Sequence, residues 1–102
     1  MSEQEAQAAG VARAKEHEVQ VHVKSLITGE SVHFKMAENS TVQATWDQAY
    51  VKLEEERRAG DTFRCADGTD LMGRVGETLA QLRAEHVCEG NHFEIRGPSG
   101  GA

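Results

Sequence analysis

Few residues in this chain have the chemistry to bind a metal or break a bond, and they are scattered. The five histidines, His17, His22, His33, His86 and His92, never fall into an HExxH or comparable ligand spacing, so no metal site is expected. Cys65 and Cys88 have no third or fourth partner and no CxxC spacing, which excludes a zinc knuckle and leaves two reduced thiols as the expectation. Cys65 is flanked by Asp67 and Asp70, whose carboxylates disfavour a thiolate, so it is read as structural rather than nucleophilic. Catalysis needs titratable groups converging in a pocket, and a core this small leaves little room for a cleft. No enzymatic activity, catalytic residue or cofactor is expected. What remains is the ending "IRGPSGGA", six residues after Arg96 with nothing to pack, closing on Gly100, Gly101 and a single Ala102.

The bulk properties narrow the partners. A length of 102 residues allows one small domain, and 38% apolar with 27% charged residues is ordinary globular chemistry. Seventeen acidic against eleven basic residues give a formal charge of -6, which argues against nucleic acid, since that affinity rests on clustered Lys and Arg. No apolar run approaches the roughly 20 residues that span a bilayer. The start "MSEQEAQAAG" lacks the basic flank and apolar segment of a secretory signal, so a cytoplasmic, monomeric protein without membrane contact is expected.

The elements that must position the tail follow from periodicity. Residues 1–17 mix Ala, Gln, Glu and Lys without apolar period and are expected to be disordered. "EVQVHVKSL" alternates, with Val19, Val21 and Val23 on one face, and after "ITGE" the alternation resumes in "SVHFKM" with Val32, Phe34 and Met36 inward; the two predict a hairpin over 19–36. The period then changes to about 3.6, predicting a helix from 42 to about 59 with Thr41 as N-cap, Val42, Trp46, Ala49, Tyr50 and Leu53 as its apolar stripe, and Gly60 as its left-handed stop. "TFRCADGTDLM" predicts a short strand, an Asp67-Gly68 turn and a second short strand; "ETLAQLRAEHVC" offers Leu79, Leu82 and Val87 as smaller anchors in a short helix or loop. A last strand over 92–96 brings Phe93 and Ile95 inward. The expected fold is α+β, a mixed sheet with one main helix across one face, occupying 18–96, with 97–102 a flexible tail. Val21, Val23, Phe34, Trp46, Tyr50, Leu53, Phe93 and Ile95 should converge in its core.

Over residues 19 to 101 this order resembles ubiquitin and its relatives. "VQVHVKSLITGESVHFKMAENSTV" is similar to ubiquitin's first hairpin and helix start, with one extra residue in the turn, while "TFRCADGTDL" and "ETLAQL…NHFEIRGPSGG" resemble the later strands and the diglycine ending. The resemblance implies a β-grasp fold whose last strand pairs centrally and parallel with the first. It also implies a use for the tail. A terminal glycine has no Cβ, so an activating enzyme can thread and adenylate it, and the thioester that follows meets its amine with little steric hindrance. Gly101 would be conjugated, and Ala102 would block that carboxylate until a peptidase removed it. With the acidic Ala/Glu-rich start, the chain is most similar to bacterial ubiquitin-like proteins, which implies activating and conjugating enzymes, a JAB-type processing peptidase, target proteins and a link to antiphage defence.

The departures also carry information. Ubiquitin's partners read an apolar patch; here Leu26 keeps the loop position, while Arg64 and Arg96 occupy the two strand positions, with Glu94 lying between the inward Phe93 and Ile95. An exposed charged face is expected, on which ubiquitin receptors would bury Arg64 without a partner. "GPS" replaces the basic stretch before the glycines, which points to a dedicated enzyme set. Lys24, Lys35 and Lys52 are read as solvated charge rather than as sites of chain formation. Two other functions share these features: a sulfur carrier, against which Ala102 weighs because such carriers finish at the second glycine, and a non-conjugated ubiquitin-like accessory subunit.

Overall fold

Alternation and the need to cover it with one helix account for the architecture. In the computed structural model, which describes residues 17–98, β1 (Glu18–Ser25) and β2 (Ser31–Ala37) form an antiparallel hairpin with Val21 opposite Phe34 and Val23 opposite Val32. The helix α1 (Val42–Leu53) starts where Thr41 Oγ1 accepts from the Ala44 N–H at 3.0 Å. Its stripe Val42, Trp46, Ala49, Tyr50 and Leu53 is buried as expected. Strand β3 (Thr62–Cys65), helix α2 (Leu79–Ala84) and strand β4 (His92–Arg96) complete the chain. The sheet order is β2-β1-β4-β3, with β4 parallel to β1 and the other pairs antiparallel. This is an α+β fold of β-grasp type: a four-stranded mixed sheet with one main helix on one side and the other side open.

All eight expected core residues are buried, from Val21 and Ile95 at 0% exposure to Phe34 at 7%. Phe63, absent from that expectation, is the centre of the aromatic core. It stacks on Trp46 at 5.8 Å and on Phe93 at 5.1 Å between ring centroids. Leu71, Leu79 and Leu82 close the core from the other end, with Val87 packed against it. The two helix starts are tied together: Val42 N–H donates to Glu77 O and Leu79 N–H to Ser40 O, beside a bridge between Thr41 and Thr78. Thr78 and Gln81 form a reciprocal capping box, the sequence signal for α2 that periodicity over so short a segment did not supply.

Three expectations are corrected. The helix stops at Leu53, not near 59: Glu54 turns left-handed (φ 58°), and Glu54 and Glu55 N–H cap Val51 O and Tyr50 O. The following Glu-Glu-Glu-Arg-Arg run has no apolar residue to continue the stripe. Its side chains do other work instead. Glu55 accepts from Ser25 Oγ (3.2 Å) and Thr28 Oγ1 (2.7 Å), and the Arg57 guanidinium lies 3.8 Å from the Trp46 ring centroid. Gly60 does adopt a positive φ, but within the turn before β3. The second short strand after the Asp67-Gly68 turn is reduced to a single bridge between Arg64 and Asp70, because Leu71 dives into the core and the chain winds into a 3₁₀ turn at Met72–Arg74. The cysteines are not free thiols: Cys65 and Cys88 form a disulfide across Cα atoms 4.9 Å apart. Sequence separation hid this, since only the folding of the α2–β4 connection onto the end of β3 brings them together. Among the described residues, no helix is long and apolar enough to cross a membrane. The expectations for residues 1–16 and for the tail beyond Pro98 lie outside the described residues.

The turn into β3 is held by a buried relay. Trp46 Nε1 donates to Tyr50 Oη (3.2 Å), Tyr50 Oη donates to Asp61 Oδ2 (2.9 Å), and the Arg58 N–H donates to the same carboxylate oxygen (3.0 Å). Burial, reinforced by the bond to Asp61, pushes the Tyr50 phenol from its ordinary 10 up to about 12. The unfolded chain therefore releases this proton first, so the hydroxyl's contribution to stability is complete below pH 10 and is lost as pH rises to about 12. Tyr50 is the only tyrosine in the sequence, so absorbance at alkaline pH reads it alone; a midpoint at the ordinary phenol value would refute the relay, and Tyr50→Phe should remove the alkaline loss of stability. The disulfide spans 23 residues of sequence, and replacing both cysteines by serine should cost about 2–4 kcal/mol in urea denaturation. An unchanged midpoint would show that the crosslink adds nothing to the packing around it.

Candidate functional site

The expected conjugation residues follow shortly after β4 in sequence, and the fold gives the path of the chain as far as Pro98. Strand β4 is an inner strand, hydrogen-bonded on both sides. Past Arg96, Gly97 is buried so closely against the first turn that a Cβ there would meet Ile27 Cγ1 at 3.3 Å. Pro98 then lies over Gly60, where a Cβ would come within 2.7 Å of the proline ring, and Gly60 also has φ +91°. Gly97 in the departing chain and Gly60 in the turn beside it let the chain pass between the β1–β2 turn and the turn before β3. Gly100 and Gly101, the expected conjugation residues, and Ala102, the expected processing residue, lie outside the described residues.

The expected partner-binding residues come together on the open side of the sheet. Arg64 and Glu94 are directly opposite in register, and both Arg64 Nε (3.1 Å) and Nη2 (3.0 Å) donate to Glu94 Oε1. Arg96 sits one pair along, opposite Thr62. Leu26 is half-buried at the end of β1, its N–H donating to Ile95 O at 2.9 Å. The face is charged, as expected, but two details are corrected. Arg64 and Glu94 are half-buried, with side chains 24% and 18% exposed, because they lie flat against each other. Arg64 is also not left without a partner: Glu94 accompanies it, so covering this face buries a pair and not a lone cation.

A second feature of the same face was missed. His33, His22 and His92 are in register on β2, β1 and β4, forming one row across three strands. The His22 and His92 rings stack at 4.5 Å and 9°, and His22 and His33 lie 5.8 Å apart. Gln20 Nε2 is 3.1 Å from His33 Nδ1. The alternation already put His22 and His33 outward; what it lacked was the register, which depends on the length of the turn, and the parallel partner, which comes from the far end of the chain. The stacked rings run parallel instead of converging, and among the described residues no group of three or more His, Cys, Asp or Glu is arranged to hold a metal ion.

The fold has more concavity than its size led us to expect. One open cleft of about 560 Å³ lies over the disulfide, lined by Cys65, Ala66, Asp67, His86, Cys88, Glu89 and His92. Its sulfurs are oxidised and its one ion pair, His86 Nδ1 to Glu89 Oε2 at 3.3 Å, is on highly exposed side chains. Asp67 accepts from Thr69 N–H and Oγ1, which holds its carboxyl below the usual range. That is the chemistry of a tight turn. A smaller cleft of about 280 Å³ lies along the histidine row, lined by His22, Val23, Lys24, Ser31, Val32, His33 and His92.

No protein-family model matches this chain, and no curated protein matches it. Function has to be argued from the fold and the residues it presents. The half-buried Arg64–Glu94 pair leads to one direct expectation. A ubiquitin-binding domain that reads an apolar patch should show no saturable binding in a titration, because covering this face desolvates charges it cannot match. Micromolar saturable binding would mean that the pair opens readily and the face is apolar in effect.

Proposed function

We propose that this chain is a ubiquitin-like protein modifier precursor, cut after Gly101 and joined through the Gly101 carboxylate to amines of target proteins. The observation that carries the reading is the combination of a β-grasp sheet, in which β4 runs through an inner position, with a path between Gly60 and Ile27 that ends at Pro98, two positions before the diglycine in sequence. Such an arrangement fixes the chain as far as Pro98, with Ser99 alone standing between it and the diglycine in sequence. Hydrolysis of the Gly101-Ala102 bond exposes the carboxylate. ATP then converts it to an acyl adenylate with release of pyrophosphate, an enzyme thiol displaces AMP to give a thioester, and a target amine displaces the thiol to form the amide. In this scheme the modifier supplies the acyl group and the recognition surface, and its enzymes supply the catalysis.

The scheme calls for a processing peptidase of JAB type, an activating enzyme and a conjugating enzyme dedicated to this chain, since "GPS" stands where ubiquitin has a basic stretch and the open face is charged. A bacterial setting and a part in antiphage defence belong to the same proposal. So does a cytoplasmic location, where ATP is available. The Cys65–Cys88 disulfide would there face a reducing thiol pool; Cys65 is fully buried and Cys88 is 5% exposed beneath the open cleft, so an incoming thiolate would reach the bond through Cys88.

The test is reconstitution with the processing, activating and conjugating enzymes and ATP, followed by mass spectrometry. Wild type should lose Ala102 and form an ATP-dependent adduct through Gly101, while Gly101→Trp should do neither efficiently. Adducts that form equally well with both glycines replaced, or a chain that is never cut or activated, would end the modifier reading.

A further inference from the structure

We propose that the row His33–His22–His92, with Lys24 and Lys35 beside it, docks a short acidic segment of a partner protein. The row is a product of register: its members are cross-strand neighbours on β2, β1 and β4, and they line one cleft together with Lys24. Charge is segregated around it. The chain as a whole carries -6, yet the outward positions of the sheet hold Lys24, Lys35, Arg64 and Arg96 against only Glu18 and Glu94, and Glu94 is already engaged by Arg64. Among the described residues, no ion pair involves Lys24, Lys35 or any of the three rings. The face therefore presents ammonium groups flanking a band of imidazoles, and the one carboxylate in register with Lys24, that of Glu94, is bonded to Arg64.

Carboxylates match this surface better than the alternatives. Ring N–H groups and ammonium groups both donate to carboxylate oxygens, and charge-assisted bonds of that kind are the stronger ones. The row spans two inter-strand spacings, roughly 10 Å, which is about three residues of extended chain. A metal ion needs nitrogen lone pairs aimed at one point, whereas His22 and His92 lie face to face. A long phosphate polymer would run beyond the cationic band onto a molecule whose net charge repels it. The inference does not depend on the modifier reading, and its test requires neither processing nor conjugation.

Hexaglutamate, acetylated and amidated, is the probe, titrated into the isotopically labelled full chain with hexaglutamine as control. The expected result is saturable movement of the His22, Lys24, His33, Lys35 and His92 amides with hexaglutamate only. Affinity should weaken at least about tenfold when Lys24 and Lys35 are both changed to Glu, and should fall as salt is raised. His22→Gln with His92→Gln should also weaken it, and an unchanged melting temperature shows that the sheet is intact. Equal response to hexaglutamine, shifts centred elsewhere, or binding insensitive to the Lys24/Lys35 change would overturn the proposal. So would a row that ignores hexaglutamate and is saturated by zinc chloride or by single-stranded oligothymidine.

Discussion

The parallel pairing of β1 with β4 is the constraint on which the rest of this structure depends. It sets Val23 beside Phe93 and Ser25 beside Ile95, joining nearly the two ends of the described chain at the middle of the sheet. Everything between them has to fit within that closure: β2 returns on one side, α1 crosses the inner face, and β3 fills the other edge. A pairing between segments so far apart brings no reward until the intervening chain is ordered, so the loop entropy must be offset by burial. The stacked line Trp46, Phe63 and Phe93 supplies much of that burial, linking helix, edge strand and central strand in one contact chain.

Secondary ties hold the parts of the chain that the core does not reach. Glu55 fastens the β1–β2 turn to the end of α1, Asp61 fastens the turn before β3 to Tyr50, and the disulfide fastens the α2–β4 connection to β3. That connection is an irregular stretch, with positive φ at His86, Cys88, Gly90 and Asn91 within six residues. Left-handed conformations at non-glycine positions persist where surrounding structure over-determines them, and the crosslink at Cys88 is the most direct such restraint here. The ties share a geometry: each joins the end of an element to a neighbour on the next layer, where regular hydrogen bonding has run out.

The two sides of the sheet have separate roles. The inner side is apolar and fixed by α1; the outer side carries the Arg64–Glu94 pair, Arg96 and the histidine row. Because side chains alternate along every strand, each core residue that anchors a strand also sets its neighbour facing outward. His22 lies between Val21 and Val23, and Glu94 between Phe93 and Ile95, so the polar surface is positioned with the rigidity of the core. The exit of the chain is positioned in the same way, with Gly97 and Pro98 packed on Ile27 and Gly60.

Local pattern was enough to establish the hairpin, the start and buried stripe of α1, the last strand and the inward residues of each, because periodicity is a property of neighbouring positions. It also marked the diglycine, a feature of composition alone. It did not reveal where α1 ends, since Glu54 and Glu55 fold back to cap Val51 O and Tyr50 O while the Glu55 carboxylate engages Ser25 and Thr28, nor the core role of Phe63, which lies in a four-residue strand too short to display a period. The disulfide and the histidine row were equally out of reach. Cys65 and Cys88, like His22, His33 and His92, are unremarkable in sequence and become neighbours only through strand register and the return of the chain to the sheet centre. Sequence determined which residues face inward; tertiary pairing decided which of those facing outward stand together, because contacts between distant segments depend on the closure of the whole sheet.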